Sequence, residues 1–216
     1  PAQTACVLQA LRPRVVLNCA AYNQVDAAES RHAEALAANA AGPAQLAALA
    51  ARQGFRLVHF STDYVFGADS LRRPRNEEDE PAPLNFYGYS KLLGEQAALH
   101  WCSVYGLPVV SLRLFNVYGP RARTTGSYCA MFGVFLAQKL AKKPFTIVGD
   151  GSQTRDFTHV SDVVDAFLRA AKSSLSGVVF NVGSSKPISV NRIVELLEGP
   201  AVHIPKRPGE PDCTHA

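Results

Sequence analysis

Tyr87 and Lys91 stand four residues apart in the run Tyr87-Gly88-Tyr89-Ser90-Lys91. On a helix, positions i and i+4 share a face, so the two side chains would point the same way. An ammonium beside a phenol favours the phenolate and draws its pKa down from the ordinary value of about 10. A drop of ~3 units corresponds to ~4 kcal/mol and would make Tyr87 a general acid/base near neutral pH. Alone, Tyr-x-x-x-Lys also describes many ordinary helix faces. Two companions strengthen the chemical reading. Ser61-Thr62-Asp63-Tyr64-Val65-Phe66-Gly67 follows the end of an apolar strand, the place where ligands sit in open α/β sheets. Thr62 is expected there to hydrogen-bond the same substrate oxygen as Tyr87. After the preceding strand, Cys19-Ala20-Ala21-Tyr22 offers small residues that let a flat cofactor approach the backbone.

The elements that must hold these residues alternate between strand and helix. Arg14–Cys19, Arg56–Ser61 and Pro108–Phe115 are short, apolar and rich in β-branched residues, as strands buried on both faces are. Ala-rich helical sequence to Arg52 and a helix over Ser90–Tyr105 separate them. This alternation predicts an α/β fold with a doubly wound parallel sheet. Beyond Asn116 the rhythm changes. Gly119–Thr125 reads as a loop, Met131–Lys142 as a helix, Phe145–Val148 as a strand, Val160–Ala171 as a helix, Val178–Val182 as a strand and Val190–Leu197 as a helix, before a Pro- and Gly-rich tail from Gly199. The expected division is a nucleotide-binding core over 1–117 and a smaller lobe over 118–216, with 156–182 a candidate to return to the core. Pro43 interrupts a helical pattern and deprives the Asn39 carbonyl of its partner, either leaving it open to a water or polar ligand or ending the helix.

Composition narrows the class. Apolar residues make up 47% and charged residues 19%, which fits a globular chain with a real core. A net charge of +4, scattered along the chain, does not argue for nucleic acid and suits an anionic small molecule. The five cysteines include no Cys-x-x-Cys pair and the six histidines no His-x-x-x-His spacing, so neither a disulfide framework nor a metal site is expected. No apolar run reaches the roughly 18–20 residues that span a bilayer. A cytoplasmic location is the simplest expectation. The sole methionine is Met131 and the sequence opens at Pro1, so a further N-terminal stretch is expected.

The motifs taken together resemble the NAD-dependent epimerase/dehydratase family. They are Asn18-Cys19-Ala20-Ala21, Asn39-Ala40-Ala41-Gly42, Ser61-Thr62-Asp63-Tyr64-Val65-Phe66, Tyr87-x-x-Ser90-Lys91, Leu112 through Pro120, Gly149 through Val163, and Arg207-Pro208-Gly209-Glu210. They fall in the family's order and span nearly the whole chain. The resemblance implies Thr62, Tyr87 and Lys91 as the catalytic set. It implies Ala20, Ala21, Tyr22, Asn39 and Phe115, with Tyr87 and Lys91, as residues lining a dinucleotide. It places Asn116, Arg155, Arg207 and Glu210, with Thr62, around a nucleoside diphosphate sugar. Arg155 is the expected diphosphate clamp, because a planar guanidinium holds two phosphate oxygens at once; its bland alternative is an ion pair with Asp156. Asp162 reads as a helix N-terminal carboxylate and His159 as a packed histidine.

The departures matter equally. The family's Gly-rich first turn, which binds pyrophosphate at a helix N-terminus, is absent, so the first βα unit is expected upstream of Pro1. NAD is the expected cofactor, with NADP left open because the acidic residue that would choose between them also lies upstream. A homodimer is expected. Dehydratases of the family resemble Thr-Asp-Glu where this sequence has Thr62-Asp63-Tyr64, which disfavours dehydration. Thr62 through Phe66 looks instead like the 4-keto-sugar reductases of the dTDP-4-dehydrorhamnose reductase type. The second half, with Arg155-Asp156-Phe157 and Arg207 through Glu210, looks like the UDP-sugar 4-epimerases, and the expected activity is nucleotide-sugar 4-epimerisation through transient oxidation at C4. The reductase is the alternative. A non-catalytic dinucleotide-binding regulatory subunit is the alternative of another class.

Overall fold

The computed structural model describes residues 2–67, 73–122, 131–206 and 209–216. Its helices are α1 (Ala2–Leu11), α2 (Val25–Ala28), α3 (His32–Leu36), α4 (Gly42–Gln53), α5 (Phe86–Tyr105), α6 (Met131–Leu140), α7 (Val160–Lys172) and α8 (Val190–Leu197). Its strands are β1 (Val15–Asn18), β2 (Arg56–Thr62), β3 (Val109–Leu114), β4 (Val117–Tyr118), β5 (Phe145–Val148), β6 (Thr154–Asp156), β7 (Thr158–His159), β8 (Val178–Val182), β9 (Pro187–Ser189) and β10 (Ala201–Ile204).

Four strands form the central sheet in the order β1-β2-β3-β8, every pair parallel. Parallel neighbours need a crossover, and the crossover helices cover both faces, which is the doubly wound α/β arrangement the alternation predicts. On one face α4 and α5 pack Ala47, Ala50 and Ala98 against Leu57 and Val109, with Leu8 of α1 joining them. On the other, α7 packs Val163, Phe167 and Ala170 against Val58, Val110 and Leu112. Burial on both faces places even the polar residues of β3, Ser111 and Arg113, out of solvent. β8 returns to the core sheet beside β3.

A second cluster lies apart from this sheet. Phe135 of α6, Phe145 and Ile147 of β5, and Val190, Ile193 and Val194 of α8 are its buried residues. Truncating one of its buried phenylalanines to Ala would remove about 3–5 kcal/mol. The Pro- and Gly-rich tail contributes β10, which runs parallel to β5 from Ala201↔Phe145 to Ile204↔Val148. α5 begins at Phe86, four residues before the expected start, because the Asn85 side chain accepts the Gly88 N–H at 2.8 Å and caps it. Tyr87 therefore sits inside the first turn. At Pro43 the chain neither breaks nor opens its carbonyl to a ligand. It forms a π-turn over Ala37–Ala41 and continues as α4 with Pro43 in its first turn, where a missing N–H costs nothing. Among the described residues no helix is long and apolar enough to cross a membrane.

Candidate active site

Two glycines of α5 fix where that helix lies. A Cβ on Gly88 would fall 2.2 Å from the Tyr64 carbonyl oxygen, and one on Gly94 would fall 1.9 Å from the Asn39 carbonyl oxygen. No side chain fits at either place. The helix thus rests against the turn that follows β2 at one end and against the π-turn further along, and the Asn39 carbonyl is covered by α5. The first contact brings Tyr87 beside Thr62, and the rings of Tyr87 and Tyr64 meet edge to face with centroids 5.7 Å apart.

Thr62 is the last residue of β2 and the N-cap of the 3₁₀ turn Asp63–Val65. Its Oγ1 accepts the Tyr64 N–H at 3.3 Å and donates to Asp63 Oδ1 at 3.2 Å. Asn116, just past β3, donates from Nδ2 to Asp63 Oδ2 at 3.1 Å and to Thr214 Oγ1 at 2.8 Å. Burial pushes the Asp63 carboxyl up to about 7, against the pull of the Thr62 hydrogen bond and of Arg155. Burial likewise raises Tyr64, helped by the nearby Asp63 charge.

Here the structure corrects two sequence expectations. Tyr87 is not made more acidic: burial pushes it up to about 12, a hydrogen bond with the Thr62 side chain pulls the other way, and the Asp63 charge adds to the rise. The Lys91 ammonium, expected to face the phenol, donates to the Phe60 carbonyl of β2. Burial lowers Lys91 to about 8, opposed by Glu95. Thr62, expected to hydrogen-bond the same substrate oxygen as Tyr87, donates to Asp63 Oδ1 and stands next to the Tyr87 side chain.

Lys91 belongs to a buried polar seam between the sheet and α5 that no sequence motif marks. Asn18 and His59, paired across β1 and β2, meet at 3.1 Å between Nδ2 and Nδ1. Burial, then the Lys91 charge, lowers His59 well below its usual range. Glu95 and Arg113 form an ion pair at 2.6 Å whose side chains are 1% and 4% exposed. Arg113 Nε also reaches both Glu95 oxygens, and the guanidinium lies 5.0 Å over the Phe66 ring. His59 Nε2, Ser61 Oγ and Ser111 Oγ are buried without protein partners.

The loop after β1 leaves Ala20 and Ala21 exposed, while the Tyr22 hydroxyl is buried without a partner. Asn39 and Phe115, expected to line a dinucleotide, are placed behind the site instead. Asn39 is 0% exposed. Its Oδ1 accepts the Tyr22 N–H at 2.8 Å, and its Nδ2 donates to the Tyr22 carbonyl and Ser90 Oγ, both at 2.9 Å. That carboxamide shapes the loop and ties it to α5. Phe115 packs in a small core with Val65, Phe66 and Leu92.

Arg155 of β6 is buried. It donates to Glu210 Oε1 at 2.8 Å and to the Thr154 carbonyl at 2.9 Å. The expected alternative, a pair with Asp156, is not formed. Asp156 faces away and accepts from Ser184 N at 2.7 Å, Ser185 N at 2.9 Å and Ala216 N at 3.0 Å. Two clefts share Val148, Gln153, Arg155 and Glu210, and one of them extends to Tyr64 and Asn116. Arg155, Glu210 and Asn116 therefore come together beside the Thr62 turn. Arg207 lies outside the described residues. His159 caps α7, its Nδ1 accepting the Ser161 N–H at 3.3 Å, and Asp162 sits in that helix's first turn.

Asp63, Glu95 and Arg113 are the polar residues sequence reasoning left without a role in the site. Asn85, three residues before Gly88, was available as a helix-cap signal. Glu95 and Arg113 pair across helix and strand and leave no local pattern.

Comparisons with known proteins bear on the family and the fold. The family model described as the NAD dependent epimerase/dehydratase family matches residues 1–183. The chain is 38% identical over 181 residues to the dTDP-4-dehydrorhamnose reductase of Mycobacterium tuberculosis, which is 81% of this chain and 55% of that protein. It is 37% identical over 142 residues to an uncharacterised UDP-glucose epimerase of Bacillus subtilis, 65% of this chain and 43% of that protein. The chain thus spans about half the length of these curated relatives. Among solved structures, the UDP-glucuronic acid 4-epimerase of Bacillus cereus, crystallised with UDP-glucuronic acid and NAD, superposes with a TM-score of 0.88 at 31% identity, covering 98% of this chain and 68% of that one. With a family model over most of its length, a parallel sheet of the same build and the Tyr87–Lys91 helix abutting the Thr62 turn, the chain belongs to the NAD dependent epimerase/dehydratase family.

Proposed function

We propose that this chain carries the reacting centre of an NAD-dependent nucleotide-sugar 4-epimerase. The observation that carries the reading is the convergence of Arg155, Glu210 and Asn116 on a cleft that opens beside Tyr64 and the Thr62–Asp63 turn. A diphosphate gripped by the Arg155 guanidinium would leave its sugar within reach of Tyr87. Glu210 holds that guanidinium in place before any ligand arrives. Charge-assisted bonds of this kind are the strong ones, and a fixed diphosphate lets a sugar turn over between two hydride transfers.

The residues fit a dinucleotide. The strand ends of a parallel sheet meet here, Ala20 and Ala21 leave space, and the Tyr22 hydroxyl is buried without a partner in the same loop. Ala20, Ala21 and Tyr22 would hold it against the sheet edge, with Tyr87 facing its reactive end and Lys91 behind it on the Phe60 carbonyl. When bound, NAD supplies a hydride acceptor that can return what it takes. Tyr87 moves the proton of the sugar hydroxyl, Thr62 positions the Tyr87 hydroxyl, and Lys91 offers a cation beneath them.

A second reading has its own observation. The similarity to a dTDP-4-dehydrorhamnose reductase covers 81% of this chain at 38% identity, and Thr62 through Phe66 resembles that type. Such an enzyme would consume one reduced cofactor per sugar. Incubation with a panel of UDP-, dTDP- and GDP-sugars, read by NMR for product stereochemistry and at 340 nm for cofactor, separates the two. The epimerase reading expects a 4-epimer with no net absorbance change, and a Tyr87→Phe variant slower by at least ~10²-fold. Stoichiometric NADPH oxidation on a 4-keto sugar, with no epimer from any ordinary nucleotide sugar, would replace it with the reductase.

A further inference from the structure

Asn85 is a buried carboxamide that joins two parts of the site. Its Oδ1 accepts the Gly88 N–H at 2.8 Å and caps α5. Its Nδ2 donates to the Gly209 carbonyl at 2.9 Å, 124 residues away in the chain. A backbone donor on one side and a backbone acceptor on the other admit a single orientation of the amide. One planar group therefore ties the helix turn that carries Tyr87 to the segment that carries Glu210.

That segment, residues 209–216, runs as a strap across the site. Gly209 has φ +71° and lies against the start of α5, a Cβ there falling 3.2 Å from Asn85 Cβ. Pro211 passes Gly67, at the far end of the turn that Thr62 begins, with its Cβ 3.3 Å from where a Cβ on Gly67 would fall. On β6 the Asp212 carbonyl accepts the Thr154 N–H at 3.0 Å, and the Thr214 N–H donates to the Thr154 carbonyl at 3.1 Å. The Ala216 N–H reaches Asp156 Oδ2 at 3.0 Å. Glu210 thus sits between two anchors, Asn85 before it and Thr154 after it, with its carboxylate 2.8 Å from Arg155 Nη2. Without the first anchor, Glu210 is held from one side only.

We propose that Asn85 is a positioning residue with two separable tasks: its amide oxygen seats the turn of α5 that bears Tyr87, and its amide nitrogen holds the strap so that Glu210 presents Arg155 to the diphosphate of a nucleotide sugar. This rests on the reading of Arg155 as the diphosphate grip. The two tasks reach different steps. A frayed first turn displaces the reacting phenol and lowers kcat. A loosened strap leaves the Arg155 guanidinium to be ordered only when the ligand arrives, which weakens binding and raises KM.

The test uses the full chain with two substitutions. Asn85→Asp keeps an acceptor for the Gly88 N–H, since aspartate caps helices as well as asparagine does, but has no hydrogen for the Gly209 carbonyl. Asn85→Ala removes both bonds. Amide hydrogen exchange reads the structure without ligand or turnover. In Asn85→Asp the Gly88 amide should keep its protection while those of Thr214 and Ala216 exchange at least ~threefold faster, and in Asn85→Ala all three should be faster. Calorimetry with UDP and with dTDP reads the grip. The tighter of the two should bind Asn85→Asp at least ~threefold more weakly than it binds the unaltered chain. Loss of Gly88 protection, unchanged exchange at Thr214 and Ala216, or unchanged affinity in Asn85→Asp would overturn the assignment, as would an unaltered chain that binds neither nucleotide.

Turnover is then read separately. Asn85→Asp should raise KM for a nucleotide sugar by at least ~threefold and leave kcat within ~twofold, whereas Asn85→Ala should also lower kcat by ~tenfold. An equal fall of kcat in both variants would also overturn the assignment. If no nucleotide sugar is turned over while exchange and affinity behave as expected, the epimerase reading falls and the role of Asn85 stands.

Discussion

The carbonyl oxygen of Tyr64 occupies the place a side chain on Gly88 would need, 2.2 Å from its Cβ position. This contact sets the spacing between Thr62 and Tyr87. Gly88→Ala must push the first turn of α5 off the Thr62 turn, whereas Gly94→Ala strikes the Asn39 carbonyl further along the same helix. Overpacking of this kind destabilises by about 1–3 kcal/mol, and more where backbone is struck. Denaturant unfolding should show both losses, while turnover should fall by ~10-fold or more in Gly88→Ala, because a misplacement of about 1 Å at a reacting group is enough for that. Wild-type stability in Gly88→Ala would mean that helix and turn are not packed as described.

Arg155 gives a test of binding apart from chemistry. Lysine keeps the charge but loses the planar fork that meets Glu210 and the Thr154 carbonyl together. Loss of a charge-assisted bond worth about 1.5–3 kcal/mol corresponds to ~10–100-fold in KM. Arg155→Lys should therefore raise KM for a nucleotide sugar by that factor and move kcat by less than ~threefold. An equal fall in kcat with KM unchanged would place Arg155 at the reacting atoms instead.

The Glu95–Arg113 pair is buried almost completely, so its members behave very differently singly and together. Glu95→Ala leaves Arg113 charged and unpaired and should lower stability by about 3–5 kcal/mol. Replacing both, as Glu95→Leu with Arg113→Met, should recover most of that loss, since apolar replacements of buried pairs are often neutral or better. Thermal unfolding of the three variants decides the matter, and a double variant as weak as the single one would show that the pair contributes more than its own desolvation takes away.

Asp63 also makes stability depend on pH in a direction opposite to that of a salt-bridged carboxylate. Its carboxyl titrates at about 7 in the fold against 3.8 as the reference value. Between those values the folded chain holds the extra proton, so the stability contributed is complete below the lower one and lost as pH rises through about 7. Asp63→Asn removes that dependence. Its Tm relative to the unaltered chain should climb by at least about 3 °C between about pH 5 and about pH 8, given that 1 kcal/mol moves Tm by about 2–4 °C in a chain this size. A difference that stays flat across that range would show that Asp63 titrates as an ordinary carboxylate.

How much of this was readable beforehand depends on the range of the interaction. The strand and helix rhythm, the parallel sheet and the neighbourhood of Thr62 and Tyr87 all follow from patterns a few residues long. The start of α5 was misread because its signal is a cap at Asn85 and not an apolar period. β10 was missed because the Pro and Gly around it hide a four-residue strand whose stability comes from pairing with β5. The acidity expected of Tyr87 failed for a related reason. Spacing places Lys91 on the same helix face but says nothing of the Phe60 carbonyl that accepts its hydrogen bond, or of the burial that raises the phenol. Asn39 shows the same gap, since a motif position cannot reveal that its carboxamide is already shared between Tyr22 and Ser90.

The return of β8 to the sheet bears on how the protein is made. β3 has its outer edge covered only by Val178–Val182, after the chain has laid down α6, β5 and α7. A nascent chain emerging from the ribosome therefore carries Val110 and Leu112 beside an open row of backbone donors and acceptors until residue 182 appears. Open apolar edges of this sort are where growing chains pair with the wrong partner. Synthesis that pauses within α7 would lengthen that exposure, and a chaperone that covers the β3 edge would shorten it.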